Sequence, residues 1–137
     1  MKIVVDRPPN YDDIVKVFPR AADKGVIFAY GDTVYCPSGP VFTPWLLAHE
    51  EVHSAQQSID SPAVWWDEYL RDPKFRYEQE LHAHAAELRA QATFNRNEWF
   101  RALHRTAHRL IADLYQYPEP PEGPNFRQAL TDLQDVL

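Results

Sequence analysis

The chain reads as an α+β protein: a small antiparallel or mixed sheet near the N-terminus, followed by a mostly helical remainder. Three observations predict this. Runs of β-branched and aromatic residues fall before residue 37. Beyond residue 43 the apolar residues recur at steps of three and four. The pairs Thr43-Pro44, Ser61-Pro62 and Asp72-Pro73 repeat one helix-start signal, a capping side chain followed by a proline at the first helical position. Strands gathered at one end and helices at the other suit α+β rather than alternating α/β.

Residues 2–5, KIVV, form a short strand that Pro8 and Pro9 interrupt. Tyr11, Ile14, Val15 and Phe18 then have the spacing of a short helix, which Pro19 stops. Residues 26–30 and 33–36 are two strand-like runs divided by Gly31-Asp32, a hairpin signal. After the Pro-Ser-Gly-Pro break at 37–40, Trp45, Ala48, Val52, Ala55 and Ile59 predict a helix ending near Ser58 with that stripe against the core. A second helix should run from Pro62 to about Arg71. A third opens at Pro73 and extends to about Phe94, burying Leu81, Ala85, Leu88 and Ala92. Residues 98–116 read as a fourth helix, 117–124 as a stiff proline-rich linker, and about 126–136 as a last amphipathic helix. The expected organisation is one domain over 1–137, with a β-containing part (1–42), a helical core (43–116), and a linker and C-terminal helix (117–137).

The bulk numbers exclude several classes. A chain of 137 residues with 45% apolar residues is long and apolar enough to fold around a core. A net charge of -6 and a pI near 5.4 argue against nucleic acid or an anionic membrane as partner. A lone cysteine, Cys36, leaves no internal disulfide and no Cys-rich zinc site. The first residues do not read as a signal peptide and no apolar run nears the ~20 residues of a membrane span, so a cytoplasmic location is the expectation.

The chemistry concentrates at His49-Glu50-Glu51-Val52-His53, an HExxH pattern. Helix residues four apart lie about 40° apart around the axis and about 6 Å along it. Imidazoles at 49 and 53 can therefore converge on one zinc ion. Glu50 lies too far round to share the ion but close enough to take a proton from a water bound to it. A catalytic zinc wants a third protein ligand and an open position. Downstream, Tyr77, Glu80, His84, Glu87 and Gln91 form a polar stripe that mixes tyrosine, histidine and carboxylates. Glu80, Glu87 and His84 on this stripe are the candidates for the third ligand. Glu78, about 160° round the helix from Glu80, is poorly placed.

His49-Glu50-x-x-His53 followed by Glu80-x-x-Ala83-His84 resembles the gluzincin metallopeptidases, in which two histidines of one helix and a glutamate of a later helix bind zinc. The compact layout looks like the single-domain minigluzincins, and HEEVHSAQQ is similar to the HExxHxxQ helices of small zinc-peptidase-like domains. The resemblance covers roughly residues 25–92. It implies a zincin core and one zinc per chain held by His49, His53 and Glu80. It further implies peptide-bond hydrolysis by a zinc-bound water that Glu50 activates, on a peptide or protein substrate. Where the family carries a supporting aspartate this chain has His84, which leaves His84, Glu87 and Tyr77 as candidates for supporting the ligands or an oxyanion; Tyr69 is a further oxyanion candidate. The family's rim strand, here within 26–36, pairs with extended substrate. The alternative is a zinc-binding regulatory or structural protein with little turnover.

The remaining residues have plainer readings. His104 and His108, flanked by arginines, suit a partly exposed helix face, and His82 suits solvent. Gln56 and Gln57 extend the HExxH helix, either supporting the site or facing solvent. Trp65 and Trp66 are core, or the wall of an apolar substrate pocket. Cys36 is a small buried apolar group. The tail after Tyr117 either completes the core or lies over the cleft as an inhibitor.

Overall fold

A computed structural model describes residues 1–40, 43–91 and 95–137. The fold is α+β. Strands β1 (Lys2–Val4), β2 (Phe28–Tyr30) and β3 (Thr33–Tyr35) form a mixed sheet in the order β1-β3-β2. β1 runs parallel to β3. β2 and β3 form the expected hairpin, with Tyr30 opposite Thr33 and Ala29 opposite Val34. Gly31 turns the chain at φ 62°, a left-handed conformation that a side chain resists.

The helices are α1 (Tyr11–Val17), α2 (Pro44–Gln57), α3 (Pro62–Arg71), α4 (Pro73–Ala90), α5 (Arg96–Leu110) and α6 (Phe126–Val136). Two of the three proline-marked starts carry the side-chain cap. Ser61 Oγ accepts from the Val64 N–H at 3.2 Å, and the Asp72 carboxylate accepts from Lys74 at 3.0 Å and Phe75 at 3.4 Å. Thr43 makes no such bond. α4 ends at Ala90; Ala92 and Phe94, to which the sequence extends it, lie outside the described residues. α5 stops at Leu110 rather than running to 116. A 3-10 turn, Asp113–Tyr115, follows, and Gln116 closes it at φ 50°. The chain leaves the helix there because Arg76 of α4 holds the Tyr115 carbonyl, its Nε donating at 2.9 Å.

Two apolar clusters form. One joins Leu81, Ala85 and Leu88 of α4 to Leu103, Ala107 and Leu110 of α5 and to Ala129 and Leu133 of α6. Ala129 and Leu133 are wholly buried, so the C-terminal helix completes this core. The other joins Ile14 and Phe18 near α1, Ala21 of a 3-10 turn, Phe28 of β2, and Trp65, Trp66 and Tyr69 of α3.

Between them α2 packs on α4, and the expected orientation of α2 is overturned. Trp45 is 40% exposed and Ile59 88%, Ala55 is exposed, and Ala48 and Val52 are half-buried. The buried face is polar: His49, Glu50, His53 and Gln57. α4 is buried on two sides, through Leu81, Ala85 and Leu88 on one and Glu80, His84 and Glu87 on the other. A polar helix face is tolerated inside only when its groups have partners.

Candidate metal centre

The hairpin fixes α2 first. Gln57, almost fully buried, spans the turn: its amide nitrogen donates to the Ala29 carbonyl at 3.0 Å and its oxygen accepts from Gly31 N–H at 2.7 Å. Ser54 Oγ donates to the Gly31 carbonyl at 2.6 Å. These bonds hold the α2 face that carries the histidines at a set height against α4.

Three ligand-type side chains then meet. His49 Nε2 lies 3.2 Å from His53 Nε2 and 3.2 Å from Glu80 Oε2, while His53 Nε2 lies 3.3 Å from Glu80 Oε1. A tetrahedral ion with bonds of about 2.0–2.1 Å separates its ligand atoms by about 3.3–3.4 Å. The spacing of the three side chains is therefore of the size one ion requires, with each histidine facing a different oxygen of Glu80. Each ring is turned so that Nε2 faces the others. His49 Nδ1–H donates to Glu87 Oε2 at 3.1 Å, and His53 Nδ1–H donates to Gln56 Oε1 at 2.9 Å. Gln56 is anchored in turn, donating to the Gln79 carbonyl at 3.2 Å.

The donor set fits a cation on two further grounds. Glu80 Oε2 is buried and makes no hydrogen bond, although His49 Nε2 is close by. Two atoms facing each other with no proton aligned between them are arranged as two ligands rather than as donor and acceptor. Glu50, Glu80 and Glu87 are also all buried. Among the described residues, the one guanidinium paired with any of them is that of half-exposed Arg109, on Glu87. Carboxylates buried together without matching positive charge are costly.

That shortage shows in the proton affinities. Burial disfavours protonated His49, but the Glu80 and Glu87 carboxylates beside it outweigh that and push the ring up to about 10. His53 is also raised: burial opposes, and Glu80 overcomes it. Glu80 is held well below the usual carboxylate range, since both imidazoles outweigh its burial. Glu50 is pushed up, mainly by burial, with His49, His53 and the Ala29 backbone N–H opposing the rise.

No family model, curated protein or solved structure matches this chain.

The rivals for the third position lie behind His49. Glu87 Oε2 accepts from both His49 Nδ1 and His84 Nδ1, the latter at 3.2 Å, and Arg109 pairs with its other oxygen. His84 spends its second nitrogen on the Tyr115 hydroxyl at 3.0 Å and stands 3.8 Å from Glu80 Oε2. His49, His84 and Glu87 are close enough to form a ligand group of their own. Its atoms already serve as hydrogen-bond donors and acceptors, and the guanidinium stands where a second cation would be repelled. The carboxylate backing His49 is thus Glu87, one turn beyond the position where the sequence carries His84.

Tyr77 is a correction. Its hydroxyl donates to Asp132 of α6 at 2.7 Å, so it ties α4 to the tail rather than serving the cluster. Tyr69 is present instead, donating to Glu80 Oε1 at 2.5 Å. The outward edge of β2 is also not free at Ala29: its carbonyl accepts from Gln57 and from Trp66 Nε1 at 3.1 Å. His82 and His108 are exposed, the latter stacked on Phe126. Cys36 is buried at the end of β3. Arg109 and Tyr115 were not singled out in the sequence. Both reach the site from across the fold, and no local spacing marks them.

A cavity of about 80 Å³ opens beside His49, Glu50, His53 and Glu80, walled by apolar residues of both the sheet region and α3. Among the described residues, no helix is long and apolar enough to cross a membrane.

Proposed function

We propose that the chain is a zinc-dependent peptidase with a zincin-type core, in which His49, His53 and Glu80 hold the ion. The observation that carries this is the convergence of His49 Nε2, His53 Nε2 and the Glu80 carboxylate at 3.2–3.3 Å, with Glu50 on the adjoining helix position. The carboxylate of Glu87 behind His49 matches the supporting role that the gluzincin resemblance gives to an aspartate. Bound zinc supplies Lewis acidity, acidifying a water and polarising a carbonyl. Glu50 accepts a proton from the attacking water and passes it to the leaving amine. Its raised proton affinity suits a group that must both take and return a proton. Tyr69 and Tyr115 line the cavity, and their hydroxyls hold Glu80 and His84 in place. Glu87 and Gln56 hold the two imidazoles in the tautomer that turns Nε2 inward.

The second reading is a zinc-binding structural or regulatory protein with little turnover. The depth of the cluster favours it: His49, Glu50, His53 and Glu80 are 3–7% exposed. Elemental analysis of protein purified without added zinc, beside Glu80→Ala, Glu87→Ala and His84→Ala, tests the site. About one zinc per chain, lost in Glu80→Ala and retained in His84→Ala, supports it; no zinc in the folded, reconstituted wild type refutes both readings. A peptide-library digest with Glu50→Gln as control separates them. That variant keeps zinc under either reading and loses cleavage only if the protein is a peptidase.

A further inference from the structure

Arg76 precedes Glu80 and His84 on one stripe of α4, at helical steps of four. It is 3% exposed, and among the described residues no carboxylate pairs with it. A buried charge without a counter-ion is costly, and here rings and carbonyls take the counter-ion's place. The faces of the guanidinium rest on Phe18 at 4.8 Å, Tyr117 at 5.5 Å and Tyr69 at 5.9 Å. Its edge serves two backbone carbonyls: Nη1 donates to that of Tyr69 at 2.7 Å and Nε to that of Tyr115 at 2.9 Å. The Tyr69 carbonyl needs an outside donor. It stands in the last turn of α3, and the N–H that would reach it by continuing the helix belongs to residue 73, a proline.

Tyr69 reaches the cluster with its other end. Its hydroxyl donates to Glu80 Oε1 at 2.5 Å, while Glu80 Oε2 is buried and makes no hydrogen bond. α4 thus holds Tyr69 twice, by its carbonyl at Arg76 and by its hydroxyl at Glu80. We infer that Arg76 is a positioning residue of the metal centre: by anchoring Tyr69 it keeps Oε1 of Glu80 on the hydroxyl and leaves Oε2 as the single oxygen that ligates the ion. The inference rests on the zinc site proposed above and not on peptide cleavage. Lysine does not replace Arg76 in this role, since an ammonium lacks the planar fork that meets two carbonyls between stacked rings.

Arg76→Lys and Arg76→Gln, each alone and combined with Tyr69→Phe, test this. Zinc affinity is read by competition against a chromophoric chelator, coordination by the visible absorption of the cobalt(II)-loaded protein, and folding by urea unfolding in EDTA. Each single variant should bind zinc about tenfold more weakly than wild type without losing it. Cobalt absorption should be strong in wild type, as for a four-coordinate ion, and weaker in the variants, where the freed Oε1 joins Oε2 on the metal. The double variants should stay within about twofold of Tyr69→Phe alone, because Arg76 acts on the ligand through that tyrosine. A lowered urea midpoint with wild-type zinc affinity and cobalt absorption makes Arg76 a purely structural residue and overturns the inference. Additive losses in the double variants overturn it too, as does failure of both Arg76 variants to fold in the presence of zinc. No zinc in the folded, reconstituted wild type overturns the site itself, and the role of Arg76 falls with it.

Discussion

Replacing Glu87 with glutamine isolates the role of the carboxylate behind the cluster. Glu87 is fully buried, and its Oε2 serves two imidazole N–H groups, at 3.1 Å from His49 and 3.2 Å from His84. Its Oε1 faces Arg109. An amide offers one acceptor oxygen in place of two. If that oxygen stays on the imidazoles, the NH2 group meets the guanidinium, and Arg109, half-exposed, swings into water at little cost. What is lost is the charge on the bonds to His49 and His84. A charge-assisted bond contributes about 1.5–3 kcal/mol and a neutral one about 1, so the two together lose about 1–4 kcal/mol in the metal-free fold. Metal affinity should fall about 10–100-fold, or about 1.4–2.8 kcal/mol, because the bond that sets the His49 tautomer loses its charge while all three ligands remain. Competition against a chromophoric chelator measures the affinity, and urea unfolding in EDTA measures the fold. A loss far beyond a hundredfold, matching Glu80→Ala, would make Glu87 a ligand. An unchanged affinity would show that the contact to His49 does not orient it. Either result refutes the assignment.

Three further outcomes follow from the same geometry. Glu80→Gln should abolish stoichiometric zinc binding, read by elemental analysis, and Tyr69→Phe should not, since Tyr69 only donates to Glu80. The metal-free chain should lose stability at alkaline pH: His49 is raised from 6.5 to about 10, so its contribution is full below about pH 6.5 and disappears as pH rises through about 10. Urea midpoints in EDTA across pH 6–10 read that decline, and zinc uptake near neutral pH should release protons, seen by calorimetry in buffers of different ionisation enthalpy. Removing residues after Tyr117 should unfold the chain rather than activate it, and Leu133→Ala alone should cost about 2–5 kcal/mol, because Leu133 is wholly buried in the α4–α5–α6 core; thermal melts decide both.

The parts of this molecule governed by local rules were legible in the sequence. Ser61-Pro62 and Asp72-Pro73 marked the starts of α3 and α4, Gly31-Asp32 marked the hairpin, and the four-residue spacing of His49 and His53 put them on one face. The orientation of α2 was not legible. Reading an apolar stripe assumes that apolar faces go inside, and α2 buries the face whose polar groups find partners on α4 and the hairpin. The choice among Glu80, His84 and Glu87 was half legible: the stripe held all three, but depth and the direction of each carboxylate decide which atom meets His49 Nε2 and which meets Nδ1. Arg109 and Tyr115 were invisible because their contacts to Glu87 and His84 span 22 and 31 residues. Pairings at that range are set by the packing of α4 and α5 and leave no periodic trace.

In α4, neighbouring residues serve opposite sides: Glu80 and Leu81, His84 and Ala85, Glu87 and Leu88 are adjacent in sequence, the first of each pair on the cluster and the second in the α5–α6 core. One rod of backbone thus carries both loads, and a tilt that relieves one disturbs the other. Occupancy on the α2 side should be felt as slowed amide exchange in α5 and α6, although neither supplies a ligand. The C-terminal helix, remote from the chemistry, becomes the natural place to put a reporter for whether the centre is loaded.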